Sequence, residues 1–246
     1  VKDIAGYFIK EGPVVQVKSR IGNPDLLLDN DTSIYYRGPL VILINSFSAS
    51  ASEILAAAMQ DYGRAVIVGT KSSYGKGTVQ RFINIDQFLS SNYADVKPLG
   101  QLKVTIQKFY RVNGGATQLK GVVPDIILPD IYANIEIGES DLDNPMPWDE
   151  IPPAPYSKYK ISYDYRKIEK KSQLRVESDS VFNFIALYAN KLREDKDSTL
   201  IPLNYDKMNE SNLSKESLSN KYNEMMKINT GIIIIYPPTF NIGRIF

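Results

Sequence analysis

Residues 39–70 read PLVILINSFSASASEILAAAMQDYGRAVIVGT, and their pattern sets the fold class. Pro39 to Asn45 is a short apolar run suited to a buried strand. Ala51 to Tyr62 is rich in alanine and predicts a helix, with Gly63 as its C-terminal cap. Ala65 to Thr70 is a second apolar run of strand length. That order predicts a βαβ unit with a right-handed crossover. Working outward, Thr78 to Ile85 reads as another strand. Leu102, Val104 and Ile106 alternate with Lys103, Thr105 and Gln107, which predicts a strand with one buried face. Asn113-Gly114-Gly115 reads as a hairpin turn. Residues 1–130 are therefore expected to form an α/β unit.

Composition shifts near residue 130. Asn144 to Tyr156 (NPMPWDEIPPAPY) carries five prolines, which disfavour helix and predict an extended connector over 131–160. Beyond it the chain is polar and charged. Val181, Ile185, Tyr188 and Leu192 recur at helical spacing after Ser178, read as a cap. Ser211 to Lys227 reads as a weaker helix, so 161–246 is expected to be mainly helical. The tail from Gly231 holds four consecutive isoleucines and then two prolines, too short a run to span a bilayer.

The 246 residues carry a formal net charge of +1, so no general attraction to nucleic acid or anionic membrane follows. Histidine and cysteine are both absent. A Ser-His-Asp triad encoded on this chain, a thiol nucleophile, disulfides and Cys/His metal sites are all excluded.

A serine cluster opens the predicted helix. Ser50-x-x-Glu53 satisfies the pattern of a capping box, a purely structural role. A second role is compatible with it, since Ser48 or Ser52 can cap while Ser50 reacts. A serine at a helix N-terminus lies beside free N–H groups and the positive end of the helix dipole, and such donors stabilise the oxyanion of a tetrahedral intermediate.

Any base must then be something other than histidine. Gly69 to Gln80 (GTKSSYGKGTVQ) places Lys76 between two glycines, which free the backbone for a tight conformation. A phosphate loop does not fit. Five residues separate Gly69 from Gly75 where four are needed, and Gly77 stands where Ser or Thr is required. Either Lys76 is a solvated turn lysine or it is the base for Ser50. A lysine ordinarily titrates near 10.4, and a lysine base working near neutrality costs about 4 kcal/mol against its charged form. Tyr74, Val79 and the 65–69 strand are the apolar walls expected to supply that burial. Gln80 lies four residues on, and its carboxamide can orient the lysine.

These residues resemble the tail-specific proteases, also called C-terminal processing peptidases. SASASEILAAAMQDYGRAVIVGT and YGKGTVQ carry the resemblance, which extends through LKVTIQKFYRVNGGATQLKGVVPDIILPD to DNPMPWDEIPPAPY, roughly residues 5–160. It is nearest to the long periplasmic branch, and implies a crotonase-like or Clp-protease-like ββα spiral core followed by a mainly helical C-terminal region. It implies a Ser-Lys serine endopeptidase needing neither cofactor nor metal, with Ser50 as nucleophile, Lys76 as base and Gln80 assisting. Asp61 is a further site of the family, expected to be structural because it ends the helix. The backbone N–H of Ala51 is a natural oxyanion donor, as the residue after a nucleophile often is.

The implied partners are protein substrates with apolar, unstructured C-termini and an adaptor lipoprotein. The implied setting is the periplasm, in association with the inner membrane. The family carries a PDZ domain ahead of the matching segment, so the chain reads as a C-terminal half without it. Two rivals stay open: a peptide-binding scaffold that does not cleave, and a crotonase-like acyl-CoA enzyme on the same fold.

Overall fold

The computed structural model describes residues 1–90, 95–159 and 164–228. A short helix α1 (Lys2–Gly6) leads into strands β1 (Gly12–Ser19) and β2 (Asp25–Asp29). Then follow β3 (Val41–Ile44), α2 (Ala51–Asp61), β4 (Val66–Gly69), β5 (Thr78–Asn84), β6 (Gln101–Tyr110) and β7 (Ile126–Ile127). Helices α3 (Tyr165–Ser178), α4 (Ser180–Asp197) and α5 (Tyr205–Ile228) follow among the described residues. The mixed α/β reading holds.

Two sheets result. One is parallel, in the order β3-β4-β7, with Val41 opposite Val66 and Val68 opposite Ile126. The other is antiparallel, in the order β2-β1-β6-β5. The βαβ unit read from residues 39–70 is present, because β3 and β4 pair in parallel through α2. Gly63, at φ +65°, ends α2 as expected.

The core lies between α2 and the sheets. Ala56, Ala57, Ala58 and Met59 of α2 are buried with Ile9, Val14, Ile67, Val112 and Val122. The alanines let the helix backbone sit close to the strands, and Met59 and Ile67 fill what remains. At such fully buried sites truncation to alanine typically costs about 2–5 kcal/mol.

Two strand expectations need correction. The run at 39–45 forms an edge strand, with Leu43 75% exposed, rather than a buried one. In β6 the alternating residues do not define a buried face. Pairing with β1 stops at Gln107, so residues 101–106 run on with β5 as a two-stranded ribbon. Phe82, Leu102 and Ile106 are exposed along it, and burial begins only at Phe109 and Tyr110. The Asn113-Gly114-Gly115 turn forms, but the returning strand is reduced to a single bridge, Tyr110 with Ala116.

The proline-rich segment is extended, as its composition dictates, and it is docked. Ile151 N–H donates to Gly114 O and Ala154 N–H to Val112 O, both at 2.9 Å. The neighbouring prolines have no donor to contribute. Tyr156 packs edge-on against Tyr62 at 5.3 Å, and Tyr159 N–H donates to Tyr62 O. The Tyr62 hydroxyl donates to Pro13 O at 3.0 Å, and burial pushes it up to about 12.

In the C-terminal region Asp179, not Ser178, caps α4. Its carboxylate accepts from Val181 and Phe182 N–H at 2.7 and 3.2 Å, while Ser178 ends α3. The weaker helix read at 211–227 is the longer α5. The isoleucine tail lies outside the described residues.

Candidate active site

The turn joining β3 to α2 is built on Asn45. Its side chain accepts from Phe47 N–H, and Ser48 Oγ accepts from Asn45 N–H. Ser48 is thus occupied in the turn and is not the helix cap. Ser50 holds the N-cap position of α2 at φ 57°, ψ −108°. A serine at positive φ is strained by roughly 1–3 kcal/mol, and such strain is retained where surrounding structure imposes it.

That surrounding structure is Glu53. Its Oε2 accepts from Ser50 N–H at 2.7 Å, the carboxylate half of a capping box. The same oxygen accepts from Lys76 N–H at 3.0 Å. Oε1 accepts from Gly75 N–H at 2.7 Å and from Ser73 Oγ at 2.6 Å. Glu53 is fully buried, and desolvation pushes its carboxyl above the ordinary range despite these four donors. Ser73 Oγ also accepts from Val122 N–H at 2.7 Å.

The glycines flanking Lys76 serve different purposes. Gly75 sits at φ +88°, in the left-handed region. At Gly77 a Cβ would lie 2.6 Å from the backbone nitrogen of Gln118, so close approach excludes a side chain.

Ser50, Ala51, Lys76 and Gln80 line one cavity of about 390 Å³. Its apolar walls are Ile54, Val79, Phe82 and Phe109; Tyr74 and the 65–69 strand, expected to wall Lys76, are not part of it. Lys103, opposite Phe82 in the β5–β6 ribbon, completes the rim. Lys76 is half-buried and Gln80 exposed. Lys76 lies just before β5, and the pairing slips between Val79 and Gln80. That slip lets consecutive residues, Thr78 to Gln80, line the cavity. Thr78 Oγ1 is buried there without a hydrogen-bond partner.

Among the described residues no hydrogen bond joins Ser50 Oγ to Lys76 Nζ, and Ala51 N–H has no acceptor. Hydrogen bonds of catalytic groups often tighten only around substrate.

Asp61 lies apart, at the far end of α2, about 16 Å along the axis from Ser50. It takes a two-point contact from Arg111, at 2.6 and 3.1 Å, and a hydrogen bond from Asn113 Nδ2 at 2.9 Å. It holds the turn after β6 through the side chains of Arg111 and Asn113.

The residues that sequence reasoning missed are Glu53, beyond its capping role, and Gln118. A signal for Glu53 existed: it shares a helix face with Ala56 and Ala57, so its charge falls on the buried stripe. Gln118 had no local signal.

Comparison with known proteins gives a consistent result. The model described as peptidase family S41 matches residues 1–128, and one described as the C-terminal domain of tail specific protease matches residues 132–233. The Tail-specific protease of Haemophilus influenzae is 42% identical over 206 residues, covering 82% of this chain and 29% of that protein. The Carboxy-terminal-processing protease of Bartonella bacilliformis is 35% identical over 146 residues, covering 56% of this chain and 31% of that protein. Among solved structures, the photosystem II D1 C-terminal processing protease aligns at a TM-score of 0.43 and 28% identity, over 51% of this chain and 30% of that one. The chain spans 29% and 31% of the length of the two curated relatives.

Proposed function

The chain belongs to peptidase family S41, and we propose that it carries the Ser-Lys centre of a serine endopeptidase acting on proteins with apolar, unstructured C-termini. Ser50 Oγ attacks the scissile carbonyl and Lys76 Nζ takes its proton. Lys76 returns a proton to the departing amine, leaving an acyl group on Ser50 that water releases. Ala51 N–H donates to the oxyanion from the N-terminus of α2. Gln80 orients Lys76 from the cavity rim. Asp61 maintains the scaffold through Arg111. In the same reading the protein works in the periplasm, associated with the inner membrane and with an adaptor lipoprotein. No helix among the described residues is long and apolar enough to cross a membrane.

One observation carries the reading: a strained serine and a lysine line one cavity while their N–H groups share a single carboxylate oxygen, Glu53 Oε2. The test is cleavage of an unstructured peptide with an apolar C-terminus by the complete protein that contains this chain. Ser50→Ala and Lys76→Ala should each abolish it with folding intact. Cleavage by Ser50→Ala at the parental rate would overturn the assignment.

A second reading, a peptide-binding module that does not cleave, draws on the missing Ser50 Oγ to Lys76 Nζ hydrogen bond. It predicts peptide binding that Ser50→Ala and Lys76→Ala leave unchanged, with no turnover.

A further inference from the structure

Lys76 makes no side-chain hydrogen bond among the described residues, so its Nζ is placed by the backbone that carries it. Every polar backbone group of Gly75, Lys76 and Gly77 has a partner. The carbonyls accept from Leu119 N–H (2.8 Å), Thr117 Oγ1 (3.4 Å) and Phe109 N–H (2.9 Å) respectively. The N–H groups end on two buried side chains: Gly75 and Lys76 donate to Glu53, and Gly77 donates to Gln118 Oε1 at 2.8 Å.

Gln118 is fully buried. Only the oxygen end of a carboxamide accepts, so its contact with Gly77 depends on which way the group is turned. That direction is set from the other side. Gln118 Nε2 donates to Glu139 Oε1 at 3.2 Å and to Met146 O at 3.1 Å. Two acceptors on the nitrogen side leave the oxygen facing Gly77. Glu139 meets the same loop again through its own N–H, which donates to Tyr74 O at 2.9 Å. Glu139 and Met146 lie beyond β7, on the segment leading toward the C-terminal helices. Neither Gln118 nor Glu139 lines the Ser50–Lys76 cavity.

We infer that Gln118 is a positioning residue for Lys76, locked in orientation by Glu139, so that the segment after β7 sets the placement of the base. This rests on the Ser-Lys reading above. Gln118 acts through the peptide of Gly77 and touches no reacting atom. Misplacing a catalytic group by about 1 Å can cost on the order of 10²-fold.

The test is steady-state kinetics on the complete protein, with Gln118→Leu, Glu139→Ala and Glu139→Gln beside Ser50→Ala. Gln118→Leu should lower kcat roughly 10- to 100-fold with KM within about twofold. Glu139→Gln keeps an acceptor oxygen for Gln118 and should retain parental kcat, while Glu139→Ala should lower kcat toward that of Gln118→Leu. If Gln118→Leu fails to fold, Glu139→Ala carries the test, because Glu139 lies outside the hydrophobic core. A folded Gln118→Leu or Glu139→Ala with parental kcat, or with a loss carried by KM instead of kcat, overturns the inference. Parental cleavage by Ser50→Ala would instead overturn the Ser-Lys reading beneath it.

Discussion

The N–H groups of Ser50 and Lys76 converge on one oxygen, Glu53 Oε2, at 2.7 and 3.0 Å. They are 26 residues apart in sequence and come from different loops, yet one buried atom fixes their separation. The other oxygen of the same carboxylate holds Gly75 and Ser73. An ionised carboxylate only accepts hydrogen bonds, so it suits a site presenting four donors.

Replacing that acceptor should disturb the cavity without touching the side chain of Ser50 or Lys76. Glu53→Ala leaves four buried donors unsatisfied, each costing about 1–3 kcal/mol in isolation. With partial relaxation the expected loss of stability is at least about 3 kcal/mol, read by urea denaturation. Glu53→Gln keeps one acceptor oxygen and should lose less stability, but its kcat should still fall at least about tenfold. A well-folded Glu53→Gln with parental kcat would show that the shared carboxylate does not position the pair.

Glu53 should also leave a signature in the pH dependence of stability. Burial is the largest influence on its carboxyl and pushes it above the ordinary 4.5, outweighing the hydrogen bonds that pull it down. A group that holds its proton more tightly when folded contributes stability that is fully present below 4.5 and is lost as pH rises through the folded value. The stability difference between the parental protein and Glu53→Gln, which has nothing to titrate there, should therefore shrink from 4.5 toward neutrality. Urea midpoints across that range decide it, and a difference that grows with pH contradicts the assignment.

Asp61 calls for a different outcome. Its side chain is 5% exposed and that of Arg111 17% exposed, with 2.6 Å between them. Removing one partner of a nearly buried pair strands the other charge, at about 3–5 kcal/mol. Asp61→Ala should lower Tm by roughly 6–20 °C, given about 2–4 °C per kcal/mol for a domain of this size. Activity should fall with the folded fraction and recover on cooling. If Asp61→Ala is inactive at full stability, the residue does more than hold the turn at Arg111 and Asn113.

Sequence revealed what local pattern controls. The β3–α2–β4 unit was legible because strand length, helix period and the Gly63 stop are all encoded within 32 residues, 39–70. The motifs around Ser50 and Lys76 singled out two residues that line one cavity. Other features depend on partners remote in sequence. Alternation in β6 says which residues share a face, but β1 ends too early to cover Leu102 or Ile106. A capping-box glutamate is usually solvated, and its Ser50-x-x-Glu53 spacing carries no sign that the GKG loop closes over it. Gln118 meets Gly77 across 41 residues, a contact no periodicity records. The cap of α4 fell on Asp179 rather than its neighbour Ser178, since either residue type serves and local geometry chooses.

Thr78 offers a test that separates folding from function. Its hydroxyl is buried at the cavity without a partner, which costs stability. Thr78→Val removes that unsatisfied group at nearly constant volume and should raise stability by about 1 kcal/mol or less. Should substrate supply the missing partner, kcat/KM falls severalfold in the same variant. Stability and kcat/KM both unchanged would mean the hydroxyl plays no part in either state.

The two glycines beside Lys76 should respond unequally to alanine. At Gly75 the cost is mainly conformational: φ +88° is unfavourable for any residue with a Cβ, by roughly 1–2 kcal/mol, with a tight contact of 3.0 Å to the Leu119 backbone added. At Gly77 the cost is a collision, 2.6 Å from the backbone nitrogen of Gln118, a residue that is fully buried and cannot swing aside. Relief requires the 75–77 loop and the 117–119 segment to part, breaking the Gly77 to Gln118 hydrogen bond. Gly77→Ala should therefore lose more kcat than Gly75→Ala, by at least about tenfold, and more stability as well. Differential scanning calorimetry and peptide cleavage on the two variants measure both. The reverse order would mean that the φ of Gly75, not the close approach at Gly77, governs where the lysine sits.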